Sequence, residues 1–208
     1  MLRAILPVLA TLLLISTPLD AAMPKALRQQ LARGEVVTHY YKTPAGLGTG
    51  WAMAIVNAPP EQVFAVIADV ERYHEFFKRV VQSRIVARQL GSYDFYYKID
   101  LPWPLSDLSC TTRNVHEIDR KKRRFKRSWT LLNGTFSHNQ GYWLVQAYPD
   151  NKTLLTYSVL LRPKLSLPQS ILNYVSKVAL PRSVKAVRKR VGDLQKTRVN
   201  SKSSTKAP

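Results

Sequence analysis

The feature that most constrains the fold is a change in hydrophobic period. From Val80 onwards, apolar and polar side chains alternate with a period of two for about 80 residues, which is typical of half-buried β-strands. The predicted strands are Val81–Gln89, Tyr93–Leu101, Ser109–Asp119, Arg123–Leu131, Gln140–Tyr148 and Thr153–Leu161. Short turn-forming segments separate most of them, and links this short favour an antiparallel meander because parallel strands need long crossovers.

Helical patterns flank this run of strands. A strand over 49–56 comes first, and Pro60 then suits the first turn of a helix. After Pro163 a second helical pattern has two phases on either side of Pro181, and Gly192 is a plausible end. Its apolar positions are Ile171, Val175, Val178, Leu180, Val184, Val187 and Val191. We therefore predict an α+β fold, in which a curved antiparallel sheet of about seven strands wraps around a long C-terminal helix.

The first 22 residues are typical of an export signal. Arg3 precedes an apolar segment, Ala4–Ile15, and small residues stand at Ala21 and Ala22. Twelve helical residues would span about 18 Å, whereas a hydrocarbon core measures about 30 Å. We expect removal of 1–22 and a periplasmic or secreted protein; an uncleaved signal anchor is the alternative. The remaining predicted units are an N-terminal helix and linker (23–48), the main domain (49–192) and a disordered basic tail (193–208).

The chain is strongly basic. It has 32 Lys and Arg against 13 Asp and Glu, a formal net charge of +19. Such a surface attracts anionic lipid, acidic polymers or nucleic acid, and export favours the membrane over nucleic acid. Seven of the eight residues from Arg120 to Arg127 are basic. The predicted membrane-docking residues are Lys122, Arg124 and Lys126 on this strand, and Lys185, Arg188 and Lys189 on the terminal helix. A solvated edge strand is the alternative for the first group.

Two stretches resemble the START-like, or SRPBCC, helix-grip superfamily. Ala54–Phe64 (AIVNAPPEQVF) is similar to the first strand and helix of those domains, and Leu101–Asp107 (LPWPLSD) is similar to a Pro-rich turn in START and coenzyme-Q-binding relatives. The resemblance covers about residues 50 to 192. It implies an elongated apolar cavity between sheet and terminal helix that holds a lipid, sterol, quinone or polyketide-like molecule. Many START relatives follow the turn with Arg and Asp, where this chain has Leu108 and Ser109, so we assign Asp107 no binding role.

Aromatic strand faces are the main pointer to such a cavity. Tyr93, Phe95 and Tyr97 alternate on one strand, and Phe125, Arg127 and Trp129 alternate on another. So much aromatic surface needs a cover, either the chain's own helix or a ligand. The predicted cavity residues are Phe95, Tyr97, Ile99, Arg113, Val115, Trp129, Leu131, Trp143, Tyr157, Val159, Ile171, Tyr174, Val175 and Val178. A buried Arg113 would mark the position of a ligand headgroup.

The sequence contains no recognisable catalytic motif. It lacks a Gly-x-Ser-x-Gly elbow and a phosphate-binding glycine loop, and its four His are too scattered to predict a metal site. We expect no cofactor, a buried and inert Cys110, and a monomer. The leading hypothesis is a non-enzymatic lipid-binding or lipid-transfer protein whose terminal helix acts as a lid about Pro181. Two alternatives stay open: a cyclase or hydrolase that acts on a hydrophobic substrate in the same cavity, and a binder of an acidic polymer or partner.

Overall fold

The described residues form one sheet of eight strands that is antiparallel throughout. The computed structural model describes residues 23–42, 48–103, 105–164 and 178–204. The spatial order of the strands is β1-β2-β8-β7-β6-β5-β4-β3, so only β2 and β8 pair across a long sequence separation. The strands are β1 (Val37–Lys42), β2 (Gly48–Val56), β3 (Val80–Gln89), β4 (Ser92–Ile99), β5 (Leu108–Asp119), β6 (Arg124–Gly134), β7 (Phe136–Tyr148) and β8 (Lys152–Pro163).

The seven strands predicted from the alternation are all present, and the structure adds one. Val37–Lys42 forms the edge strand β1 and pairs with β2 from Val37↔Met53 to Lys42↔Gly48. These residues therefore belong to the sheet and not to a linker. The meander from β3 to β8 follows chain order, as the short turns predicted.

Helices lie before, between and after the strands. Helix α1 is Lys25–Ala32, α2 is Pro60–Ala68 with Pro60 in its first turn, and α3 is the single turn Tyr73–Phe76, preceded by a 3₁₀ turn at Val70–Arg72. The last helix, α4, is Leu180–Ser204. The predicted helix end at Gly192 and disordered tail from 193 are therefore wrong as far as Ser204; residues 205–208 lie outside the described part. Gln195 of α4 donates to Gln62 of α2, which ties this extension to the domain.

The helix α4 packs closely against β2 because β2 presents small residues to it. Gly50, Ala52 and Ala54 face α4, and the two alanines are fully buried. A Cβ added at Gly50 would lie 2.6 Å from Leu180 Cδ1, so only glycine permits this approach. From α4 the same core receives Leu180, Val184, Val187 and Val191, all buried. The helix is thus held against β2 and the core that both elements share.

The described helices include none that is long and apolar enough to cross a membrane. The predicted signal, 1–22, lies outside the described residues. The same holds for three predicted cavity residues, Ile171, Tyr174 and Val175.

Candidate functional site: a cavity between the sheet and the last helix

A cavity of about 710 Å³ lies between the concave face of the sheet and the first turns of α4. Its walls are mostly apolar and rich in aromatic rings. Tyr157 stacks on Trp143 with ring centroids 4.2 Å apart, and on Trp129 at 5.9 Å. Such stacked rings form a rigid apolar surface, which suits a flat or chain-like hydrophobic ligand.

Half of the predicted cavity residues line this space. They are Phe95, Tyr97, Ile99, Trp129, Trp143, Tyr157 and Val159. Leu131 lies just outside it and packs against Leu108, Cys110 and Phe136. Val178 is partly buried and does not line the cavity.

The prediction is wrong for Arg113 and Val115, which lie on the convex face of β5. The concave positions of this strand are Leu108, Cys110, Thr112 and Asn114, all buried, whereas Val115 is 40% exposed. Arg113 makes a bidentate ion pair with Asp94, with Nε–Oδ1 at 3.0 Å and Nη2–Oδ2 at 3.1 Å. Side chains of a strand alternate between its two faces, and the prediction assigned the cavity to the wrong face of β5. Both residues were therefore placed on the wrong side of the sheet.

The buried charged residue in the described lining is Arg127, which the prediction omitted from the site. It is 3% exposed and lies between Phe125 and Trp129 on the concave face of β6. Its Nε and Nη2 donate to Asn114 Oδ1 at 3.0 and 2.8 Å, and its Nη1 donates to the Tyr73 hydroxyl and, at 3.4 Å, to the Ile67 carbonyl. The alternation already placed Arg127 on the same face as Phe125 and Trp129.

Aromatic rings surround this guanidinium. Its Cζ lies 5.2 Å from the Tyr73 ring centroid, 5.5 Å from Phe95 and 5.8 Å from Trp129. These cation–π contacts stabilise the desolvated charge and fix the plane of the guanidinium. Burial also raises the pKa of the Tyr73 hydroxyl, so that group stays protonated beside the cation.

A second polar group, centred on Asn139, fixes the wall nearer the opening. Asn139 Oδ1 accepts from Trp129 Nε1 at 2.9 Å, and Nδ2 donates to the Tyr97 hydroxyl at 2.6 Å and to Cys110 Sγ at 3.3 Å. Cys110 is buried, as predicted, and burial raises its pKa to about 11. Burial also raises the pKa of Tyr157 to about 12. These groups are therefore neutral at physiological pH.

The charged side chains that line the cavity in the described part of the chain are all positive. Five basic residues that are exposed or partly exposed line it together with Arg127, and they mark its solvent-facing side: Lys78, Arg79, Arg182, Lys185 and Lys189. Among the described residues, no Asp, Glu or His lines the space, and no group of three or more potential metal ligands occurs. We call these five the cationic rim.

The two predicted membrane-docking groups do not lie together. Lys185 and Lys189 belong to the cationic rim, but Lys122 lies in the turn between β5 and β6, at the far end of the sheet. There Arg123 makes a bidentate pair with Glu61 at the start of α2. Strand β6, 11 residues long, separates this turn from the opening by about 33 Å.

Of the remaining three predicted docking residues, Lys126 and Arg188 are engaged within the fold. Arg124 and Lys126 point to the convex face of β6, and Lys126 Nζ pairs with Glu117 at 2.8 Å. Arg188 is partly buried and donates to the Gly34 carbonyl at 2.9 Å, and burial lowers its pKa.

Comparison with solved structures identifies the fold. Human STARD10 matches with a TM-score of 0.63 and 17% identity over 84% of this chain and 80% of that chain. A STAR-related lipid transfer protein from Xanthomonas axonopodis matches with a TM-score of 0.59 and 15% identity over 74% of this chain and 98% of that chain. The Zhui aromatase/cyclase from a Streptomyces species matches with a TM-score of 0.56 and 18% identity over 70% of this chain and 94% of that chain. The fold is the START-type helix grip.

Sequence comparison identifies the family. A comparison with curated proteins gave no significant match. The sequence profile described as polyketide cyclase / dehydrase and lipid transport matches residues 56–188, from the end of β2 into α4. This match spans more than half of the chain and includes most of the cavity walls. The chain therefore belongs to the polyketide cyclase/dehydrase and lipid transport family.

Proposed function

We propose that this chain is an exported carrier that encloses one hydrophobic molecule and docks on anionic membrane for its exchange. The observation that carries the proposal is the cavity of about 710 Å³, with aromatic walls and a cationic rim. Its volume falls within the range of about 300–1,000 Å³ that small-molecule sites occupy. The family profile, whose description includes lipid transport, supports the same reading.

The energetic reason for a carrier is the cost of apolar surface in water. Each 100 Å² of ligand surface moved from water into the cavity contributes about 2.5 kcal/mol. Trp129, Trp143 and Tyr157 provide rigid apolar surface for this contact. Enclosure therefore allows a molecule that is insoluble by itself to cross an aqueous compartment.

The proposed membrane-facing surface is the opening of the cavity. Lys78 and Lys185 of the cationic rim are exposed there, and Trp103, on the loop after β4, is 92% exposed beside the lining residue Pro102. Tryptophan favours the membrane interface, and each Lys near an anionic bilayer contributes about 1 kcal/mol. Docking by this surface would place the opening of the cavity against the lipid.

The lining favours a carrier over a cyclase or hydrolase. General acid–base catalysis needs a group that exchanges protons near the operating pH. The lining contributed by described residues has no carboxylate or imidazole, and burial raises the pKa values of Tyr73, Tyr97 and Tyr157. These phenols are weak acids at neutral pH and poor bases.

Native mass spectrometry tests the cavity. Residues 23–208, expressed and purified gently, are expected to carry one hydrophobic molecule or to accept one from offered lipid. Ile99→Trp places a larger side chain in the lining and should abolish this binding. Ile118→Trp makes the same change on an exposed strand position and should leave it intact. A protein that stays empty and rejects all offered lipids would refute the carrier proposal.

Vesicle co-sedimentation tests the docking surface. Lys78→Gln with Lys185→Gln removes two charges at the opening, and Lys121→Gln with Lys122→Gln removes two at the far turn. At about 1 kcal/mol per Lys, the first pair should weaken binding to anionic vesicles about 30-fold. The second pair should change it much less. Equal losses in both variants would show that docking has no preferred surface.

Export has its own test. The proposal predicts that the protein recovered outside the cytoplasm has a mass that lacks the first 22 residues. An intact chain retained in the cytoplasm would contradict it.

A further inference from the structure

The inner end of the cavity contains a positive charge that the described protein does not neutralise. Among the described residues, the hydrogen-bond acceptors around Arg127 are neutral: the Asn114 amide oxygen, the Tyr73 hydroxyl and the Ile67 carbonyl, with the Tyr93 hydroxyl also near. A guanidinium stays protonated in proteins, so burial cannot discharge it. A buried charge without a counter-charge is strongly unfavourable, and such charges are normally paired.

The other arginine of this region shows what pairing looks like. Arg113 lies one strand away on the convex face, is more exposed, and has a bidentate carboxylate partner in Asp94. Arg127 is the more buried of the two, and no carboxylate in the described part of the chain forms an ion pair with it. The cation most in need of a counter-ion is thus the one that faces the cavity.

The surroundings of Arg127 restrict the chemistry of the missing partner. On its cavity side, Arg127 contacts the rings of Phe95 and Trp129. The other charged side chains that line the described part of the cavity are also positive, so none of them can serve as its counter-ion. Four of the five guanidinium N–H groups already donate to protein acceptors, so Arg127 offers a ligand its positive charge and at most one further hydrogen bond, from the second N–H of Nη2. One carboxylate satisfies both, because it neutralises the charge and accepts a charge-assisted hydrogen bond. A neutral sterol or quinone would leave the charge unpaired. The complementary ligand has an apolar body and one anionic headgroup.

We propose that Arg127 binds the carboxylate of a single-chain amphiphile that enters the cavity headgroup first. This proposal rests on the carrier function and specifies its ligand class. Phe95, which contacts Arg127, lies about 13 Å along β4 from Ile99 in the lining nearer the opening. The hydrocarbon chain occupies this aromatic passage, and the cationic rim attracts the anion before entry.

The unmodified protein provides the first test. Dodecanoate, methyl dodecanoate and dodecanol share a chain of the same length, and only dodecanoate is charged. Displacement of a bound fluorescent fatty acid should show dodecanoate at least tenfold tighter than either neutral compound, because hydrogen bonds to charged groups are worth about 1.5–3 kcal/mol. Equal affinities would overturn the headgroup proposal and leave the carrier function standing. Failure of all three to bind, while native mass spectrometry shows another bound lipid, would also overturn the headgroup proposal; a protein that rejects these three and every other offered lipid would overturn the carrier function as well.

Substitution provides the second test. Arg127→Met removes the charge and keeps an apolar chain of similar length, and it should reduce the preference for dodecanoate to about onefold. Arg127→Lys keeps the charge and should retain part of the preference. Arg124→Met removes an arginine from the convex face of the same strand and should leave the preference unchanged. If Arg127→Met binds dodecanol normally and still prefers dodecanoate tenfold, the proposal is wrong.

Discussion

Replacement of Gly192 by Ala should raise the melting temperature if the last helix continues through this position, and lower it if the helix ends there. Gly192 lies inside α4, twelve residues after Leu180 and twelve before Ser204. An added Cβ at this position would meet no heavy atom within 4 Å. The methyl group therefore causes no clash, and its whole effect comes from the backbone.

The size of the effect follows from helix propensity. Ala is favoured over Gly within a helix by about 0.5–1 kcal/mol, because Gly loses more backbone entropy on folding. For a chain of this length, 1 kcal/mol corresponds to about 2–4 °C in melting temperature. Gly192→Ala should therefore raise the melting temperature by about 1–4 °C.

Thermal unfolding followed by circular dichroism measures this change. Gly91→Ala is the matched control, because Gly91 also has open space around its Cβ position but a φ of +77°. At Gly91, Ala should lower the free energy of unfolding by about 1 kcal/mol, because a residue with a Cβ is disfavoured in the left-handed backbone conformation. A lower melting temperature for Gly192→Ala would mean that the chain leaves the helix at Gly192, as the sequence pattern predicted, and that the extension to Ser204 is wrong.

Two further predictions concern titratable groups near the cavity. Burial and the Arg127 charge lower the pKa of His116, which contacts the Tyr93 hydroxyl at 3.1 Å. Folding stability from this group is complete above the ordinary His pKa of about 6.5 and is lost as pH falls through the lower folded value. Thermal melts from pH 7.5 to 5 should show this loss in the natural protein and less of it in His116→Asn; identical slopes would contradict it. Cys110, with a pKa raised to about 11, should resist alkylation by iodoacetamide at pH 7.5 until the protein is unfolded, and rapid labelling of the folded protein would refute its burial.

The strands could be predicted because their signal is local. Alternation with a period of two and turn residues at regular intervals locate β3 to β8 without knowledge of the rest of the chain. The edge strand β1 is different: its sequence, VTHYYK, has strand-favouring residues but is too short to predict a strand partner. It becomes a strand because β2 offers a free edge, and that pairing is a property of the assembled sheet.

The end of the last helix could not be predicted from local rules. Gly192 is a plausible helix end by composition, and the segment after it is polar and basic. What continues the helix is contact with other elements: Gln195 reaches Gln62 of α2, and Val191 is buried beside the same helix. Tertiary packing thus overrides a weak local signal.

The cavity walls show the same division between local and non-local information. Alternation correctly grouped Phe95 with Tyr97 and Ile99, because one strand fixes which residues share a face. It did not show which face of β5 points inward, since Val115 on one face and Cys110 on the other are both apolar. The parity of β5 is set by its pairing with β4, where Tyr97 lies opposite Cys110.

In the basic run from Arg120 to Arg127, the alternation of side chains along β6 decides which basic residue is buried. Its composition indicates one solvated cationic surface, yet a strand must send alternate residues to opposite faces. Phe125 is 4% exposed and Trp129 is 8% exposed, so the concave face of β6 is fixed by large rings. Arg127 lies between them and must share that face. To move Arg127 into solvent, the strand would have to bury Lys126 and expose both rings, and the cost of that exchange is what holds a lone guanidinium inside the cavity.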